Sequence, residues 1–218
     1  MCLSSKPPLP SLDIIAQRTL GHYEQNAQRF WEGTRDHDVT QNISALLTAL
    51  GPPPPRRILD FGCGPGRDLV TFKALGHDAV GLEGSAAFVS MARAHSGCPV
   101  LHQSFFNLQL PARSFDGVFA NASLFHVPRA TLPKVLGELY DALIPRGVLF
   151  CSNPRALQQE GEGWQGERYG SYLTSESWTA VIAAAGFELE RSFLRPSGQP
   201  PDQQPWLAMV WRKPLPGA

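Results

Sequence analysis

Residues 56–69 read RRILDFGCGPGRDL, and the order of types in this stretch decides the architecture. A short apolar run leads into glycines at 62, 64 and 66, and a charged helix start, RDLVTFKALG, follows at once. That is the layout of a strand–turn–helix unit whose turn receives a nucleotide at the carboxyl end of the first strand. The dinucleotide fingerprint GxGxxG does not match, because the third glycine follows the second by two positions and not by three. Asp60, at the mouth of the turn, argues the same way. A pyrophosphate held at this helix N-terminus would meet a carboxylate, and at close range in low dielectric the repulsion amounts to several kcal/mol. A ligand carrying an ammonium group and no phosphate would be attracted.

Working outward, short apolar runs alternate with helical stretches from Arg56 onward, which predicts a parallel sheet covered on both faces. The strands are RRILDF, HDAVGLE, PVLHQ, FDGVFAN and GVLFCSN, with helices beginning near Gly66, Ser85 and Arg129. An insertion expected to be irregular, NPRALQQEGEGWQGERYGSY, precedes a helix at TSESWTAVIAAAG and two final strands, FELERSFLRP and PWLAMVWRK. No helix separates these two, so they are expected to pair antiparallel at one edge. On the N-terminal side, a helical pattern over about 11–32 puts Leu20, Tyr23, Ala27, Phe30 and Trp31 on one face. A second, TQNISALLTAL, ends at Gly51 before PPPP. Residues 1–55 are therefore read as a helical cap on a core of 56–218, the whole forming one structural domain.

Composition narrows the function classes. The 218 residues carry 19 basic and 19 acidic side chains, a formal net charge of zero, so no global field draws in nucleic acid or an anionic membrane. No apolar run reaches the length of a membrane helix, and MCLSSKPPLPSLDII lacks the layout of a secretion signal. Cys2, Cys63, Cys98 and Cys151 are scattered, which fits neither a disulfide framework nor a zinc site. The expectation is a cytoplasmic protein without a metal, acting on a small molecule. Arg35, His37 and Asp38 match no transition-metal spacing.

Glu83 stands just over twenty residues beyond the glycines, at the end of the second strand, where a carboxylate can accept hydrogen bonds from ribose hydroxyls. With LDFGCGPG, VGLEGS and FDGVFANASLFHV in order, the chain resembles the class I S-adenosylmethionine-dependent methyltransferases over roughly residues 56–195. The resemblance implies a doubly wound, Rossmann-like sheet of seven strands in the order 3-2-1-4-5-7-6, the seventh antiparallel. It implies S-adenosylmethionine as cofactor and S-adenosylhomocysteine as product. Gly62, Gly64 and Gly66 would wrap the methionine portion, with Cys63 in the same turn and Asp60 acting through ordered water or backbone positioning near the ammonium, and Glu83, Gly84 and Ser85 would hold the ribose. Asn121 and Ala122 would lie near the reacting methyl. Many family members have an acid after the third strand for the adenine amino group. Here Ser104 takes its place, with Phe105 beside it to lie on the ring.

The acceptor side is read from position. His126, a few residues past the fourth strand, is the candidate general base. Tyr23, Trp31 and Arg35 of the cap, with Arg155, Tyr169 and Tyr172 of the insertion, are candidates for substrate contact, since loops at this end of the sheet vary with substrate. The expected reaction is methyl transfer to a nitrogen, oxygen or sulfur nucleophile of a small molecule. A protein substrate and a non-catalytic protein that holds the cofactor or its product stay open. An NAD(P)-dependent oxidoreductase is disfavoured by the glycine spacing and Asp60. The sequence leaves the attacked atom and the oligomeric state open.

Overall fold

The computed structural model describes residues 10–217; Cys2, most of the leading MCLSSKPPLP and the last residue lie outside them. Three helices come first: α1 (Leu12–Gln25), α2 (Ala27–Thr34) and α3 (Thr40–Leu50). The pattern expected as one helix over 11–32 is thus two. The break is Asn26, whose side-chain amide donates to the carbonyl of His22 at 2.8 Å; an asparagine that bonds its own preceding turn competes with helix continuation.

The strands β1 (Arg57–Phe61), β2 (Asp78–Glu83), β3 (Val100–His102), β4 (Phe115–Asn121) and β5 (Leu143–Pro154) alternate with α4 (Arg67–Ala74), α5 (Ala86–Ser96) and α6 (Leu132–Ala142). The insertion is not irregular. It folds into a hairpin of β6 (Gly161–Gln165) and β7 (Arg168–Tyr172), set apart from the main sheet. Trp164 pairs with Tyr169 across its two strands, rings edge to face at 5.4 Å, a cross-strand contact that offsets the weak strand propensity of the glycines around it. Then come α7 (Ser175–Ala184), β8 (Glu188–Arg195) and β9 (Trp206–Arg212). The main sheet runs β3-β2-β1-β4-β5-β9-β8. With the hairpin set aside, this is the expected order, and β9 is antiparallel to both of its neighbours.

The central strands β1, β4, β5 and β9 bury both faces, whereas the edge strand β8 is largely exposed. On β1, Ile58 joins the cluster with Leu46, Leu69, Phe72, Val89 and Ala92 from α3, α4 and α5, while Leu59 and Phe61 join Val135, Leu136, Leu139 and Trp178 from α6 and α7. The period of two therefore sends Asp60 to the α3–α5 side, directly under the first turn. Leu46 of α3 is fully buried and α3 packs on β4, β5 and β9, so this helix is a layer of the sheet. α1 packs instead on α5 and β7, across the carboxyl ends of the strands.

Candidate active site

The first turn is shaped by what lies around it. Gly62 has φ +78°, and a Cβ there would sit 2.6 Å from Cβ of Ser123 and 3.0 Å from the Phe105 ring. Gly66, at φ +92°, would meet the Ala92 backbone at 2.8 Å, which seats α4 against α5. A side chain at either position is strained in the backbone and blocked in space. The loop thus stays bare, and it forms the floor of a cavity of about 540 Å³, a size usual for small-molecule sites.

Glu83 closes one side. Its Oε1 accepts from the amides of Gly84 (2.7 Å) and Ser85 (2.9 Å), and its Oε2 from Gly64 (3.0 Å). Burial raises its pKa and these three N–H bonds pull it back down. They fill three of the roughly four acceptor positions of a carboxylate. Asp60 is buried beneath the floor with Oδ2 unpartnered. Burial first, then the Asp68 carboxylate, pushes its pKa well above the ordinary range, and Arg67 opposes them. Asp68 faces the cavity and holds Arg67 in a two-pronged pair at 2.7 and 2.9 Å. Three carboxylates thus surround this end against one guanidinium.

The fourth strand supplies the middle. Asn121 accepts from Asn42 of α3 at 2.9 Å and donates to Asp68 at 3.4 Å. Ala122 lines the cavity at φ +59°, a left-handed backbone that costs a non-glycine residue roughly 1–2 kcal/mol; its amide donates to the Ser152 carbonyl at 2.9 Å. Ser104 and Phe105 line the cavity too, Phe105 stacked on Phe61 at 4.2 Å. Cys63 also lines it, with its thiol pushed well above the ordinary range by burial and by the carboxylates of Asp60 and Glu83.

α1 and α2 form the roof. Tyr23 and Phe30 meet edge to face at 5.5 Å, and both touch Phe88 of α5. The Tyr23 hydroxyl lies 2.9 Å from Nε2 of His126, whose Nδ1 lies 2.6 Å from the Tyr169 carbonyl. Because a carbonyl only accepts, Nδ1 carries the proton and Nε2 accepts from Tyr23. Burial lowers the pKa of His126 to about 4, and burial raises that of Tyr23, with Arg168 pulling the other way. Both groups are neutral near pH 7. Glu24 fastens the same helix to α5, accepting from Ser85 Oγ at 2.7 Å and from the amide of Ala87.

The remaining candidates fall elsewhere. Ser85 is buried as the N-cap of α5. Trp31 reaches the cavity edge, stacked on His95 at 4.5 Å. Arg35 is exposed and paired with its neighbour Asp36. Arg155 ties down the last loop through the carbonyls of Gln204 and Pro201. Tyr169 contributes its backbone, its ring being buried against Trp164, and Tyr172 packs beside Phe125. None of Arg35, Arg155, Tyr169 and Tyr172 is among the cavity-lining residues. Sequence reasoning did not anticipate Asn42, Thr19, Ser152, Arg195 and Trp206. Thr19 faces the cavity and accepts from the amide of Tyr169 at 3.1 Å. Only the α1 stripe and the position of the final strands hinted at them.

A bare glycine cradle, a buried carboxylate with an open acceptor position and an excess of negative charge fit a nucleoside bearing positive charge and no phosphate. Comparison with known proteins agrees. A trans-aconitate 2-methyltransferase of Methylobacterium radiotolerans is 33% identical over 127 residues, 57% of this chain and 48% of that protein, so the chain spans about half the length of the curated relatives it matches. A Burkholderia thailandensis 1,6-didemethyltoxoflavin-N1-methyltransferase, solved with 1,6-didemethyltoxoflavin and S-adenosylhomocysteine, superposes with TM-score 0.80 at 20% identity, covering 96% of this chain and 93% of that one. The [4+2]-cyclase SpnF shares the fold at TM-score 0.74 and 16% identity, covering 96% of this chain and 98% of its own. The family model described as a methyltransferase domain matches residues 30–192, three quarters of the chain, and with the glycine turn, Glu83 and the strand order in place the chain belongs to the class I S-adenosylmethionine-dependent methyltransferases.

Proposed function

We propose that the protein transfers the methyl group of S-adenosylmethionine to a nitrogen, oxygen or sulfur nucleophile of a small molecule. The observation that carries this reading is the make-up of the cavity: its glycine floor is flanked by Glu83 and Asp68, and the same cavity extends to Thr19, Phe106 and Trp206, residues apart from that turn. S-adenosylmethionine, when bound, supplies a methyl group already activated on a sulfonium. The protein's own task is then to align two reactants and exclude water. Gly62 and Gly64, which line the cavity while Gly66 packs behind them against Ala92, would admit the methionine portion, Glu83 would take a ribose hydroxyl on its open position, and Phe105 would lie on the adenine. Asp60 and Asp68 would complement the positive charge. The helix α1 roofs the site and would hold water out.

The sharing of this fold by a cyclase shows why the fold alone does not decide activity. The non-catalytic alternative is separated by experiment. Calorimetric titration with S-adenosylmethionine, S-adenosylhomocysteine and NADPH is expected to give micromolar binding of the first two only, and product release over a panel of amines, phenols, thiols and acids is expected to find turnover. Binding of the cofactor with no turnover on any acceptor, small or protein, would favour the non-catalytic reading; NADPH binding in its place would overturn the assignment.

A further inference from the structure

The part of the cavity lined by Trp206 and Arg195 is chemically unlike the glycine end. It lies over the later strands: Asn121 of β4 is opposite Ser152 of β5, and two residues further along β5 Pro154 is opposite Trp206 of β9, which is opposite Arg195 of β8. Three inter-strand spacings of about 4.8 Å and two residues along the strand put the Arg195 backbone roughly 16 Å from Asn121, and both residues line the cavity. One of its terminal nitrogens donates to the Asp38 carbonyl at 3.1 Å, while its Nε is buried with no partner. The Asp38 carboxylate is in electrostatic range of Arg195 but accepts from the amide of Thr40, and no ion pair joins the two among the described residues. Arg67, the other guanidinium on the cavity wall, is engaged by Asp68. Arg195 therefore has donors in hand, in the fork geometry that fits a carboxylate.

In the middle of the cavity the ionisable side chains are committed, and the one open position on Glu83 belongs to the ribose in the reading above. His126 has both ring nitrogens engaged, Glu83 takes three amides, and Asp68 grips Arg67. His37 lines the rim next to Asp38, at the Arg195 end. A nucleophile that reaches the middle has to react without a base from the protein, a condition that an ionised carboxylate meets.

Resting on the methyltransferase reading above, we infer that the acceptor is a small di- or tricarboxylic acid, one carboxylate anchored by Arg195 and a second presented as the nucleophile. The step balances without a proton: a carboxylate oxygen lone pair forms the new O–C bond to the methyl group. The S–C bond breaks, its pair stays on sulfur, and a methyl ester and a neutral thioether result. Arg195 is thus a specificity residue and the ring of Trp206 a wall.

The test is titration of the S-adenosylhomocysteine-loaded protein with succinate and tricarballylate, and with their neutral methyl esters, followed by calorimetry. The acids are expected to bind and the esters not, and Arg195→Ala should weaken acid binding about 10- to 100-fold, the usual effect of removing a guanidinium from a carboxylate. Arg195→Lys should recover part of it. Affinity for S-adenosylhomocysteine should be the same in all three proteins, which shows that the variants are folded. With S-adenosylmethionine, the turnover product should be a base-labile methyl ester. Acid binding that is absent, or that Arg195→Ala leaves unchanged, overturns the inference, as does methylation of amines, phenols or thiols in preference to acids. Failure of S-adenosylhomocysteine itself to bind would overturn the parent reading first.

Discussion

At the scale of single residues, Asp60 carries the most physical information. It is buried, one oxygen has no partner, and burial with the neighbouring carboxylates pushes its pKa well above the ordinary range. Burial in that position favours the neutral carboxyl, and a cation that shares the space would favour the carboxylate. The sign of its linkage follows: its contribution to stability is fully present below the ordinary carboxylate value and is lost as pH rises through the raised one. The variant Asp60→Asn does not titrate, so its Tm relative to wild type should climb as pH rises above about 4. Its affinity for S-adenosylmethionine should be lower than that of wild type at alkaline pH. Wild-type affinity should strengthen as pH rises while that of the variant stays flat. Calorimetry and thermal melts across pH read both, and a constant Tm gap would show that Asp60 is ionised in the empty protein. The sequence placed this carboxylate at the turn because glycine spacing and strand length are local. It did not say that the side chain lies under the floor, since that depends on which face of β1 packs on α3–α5.

At the scale of elements, α1 decides access. It is pinned at Glu24 to the start of α5 and at Tyr23 to His126, whose other nitrogen is held by β7. The expected general base is thereby a clasp between roof and hairpin. Its pKa of about 4 lies below the ordinary 6.5 because burial disfavours the imidazolium. The stability it lends is present above the ordinary value and is lost as pH falls through 4. At about 1.4 kcal/mol for each pH unit between the two values, the loss reaches roughly 3 kcal/mol. In His126→Asn the loss of unfolding free energy between about pH 6.5 and about pH 4, read from denaturant melts, should be smaller by that amount. A slope as steep as wild type would assign the titration to another group. The aromatic stripe of α1 was legible from its spacing. The break at Asn26 and the partner of Tyr23 were not, because one is a side-chain bond that competes with the helix and the other joins residues 103 positions apart.

At the scale of the whole molecule, the site is held by a sheet whose two faces are sealed independently. Trp178 of α7 is fully buried on the α6–α7 side, and its indole N–H donates to the Pro154 carbonyl at 3.3 Å. Trp178→Ala should cost about 3–5 kcal/mol and lower Tm by roughly 6–20 °C for a chain of this size. Affinity for S-adenosylhomocysteine at low temperature should be unchanged, because Trp178 does not line the cavity. Loss of affinity alongside the Tm would mean that the two faces are coupled.

The seven-stranded order followed from the family that the motifs resemble; taken by itself, the sequence determined the strand–turn–helix at residues 56–76, Glu83 at the end of the second strand and the aromatic stripe of the first helices. Each of these is written in local periodicity or in a short motif whose geometry is set by neighbours in the chain. The tertiary structure alone decided that the insertion is a hairpin, that Arg35, Arg155, Tyr169 and Tyr172 stay off the cavity wall, and that Arg195 and Trp206 face it. Those outcomes depend on where β8 and β9 enter the sheet and on which side chains alternate inward. Only long-range packing sets that register, and no pattern within a single segment encodes it.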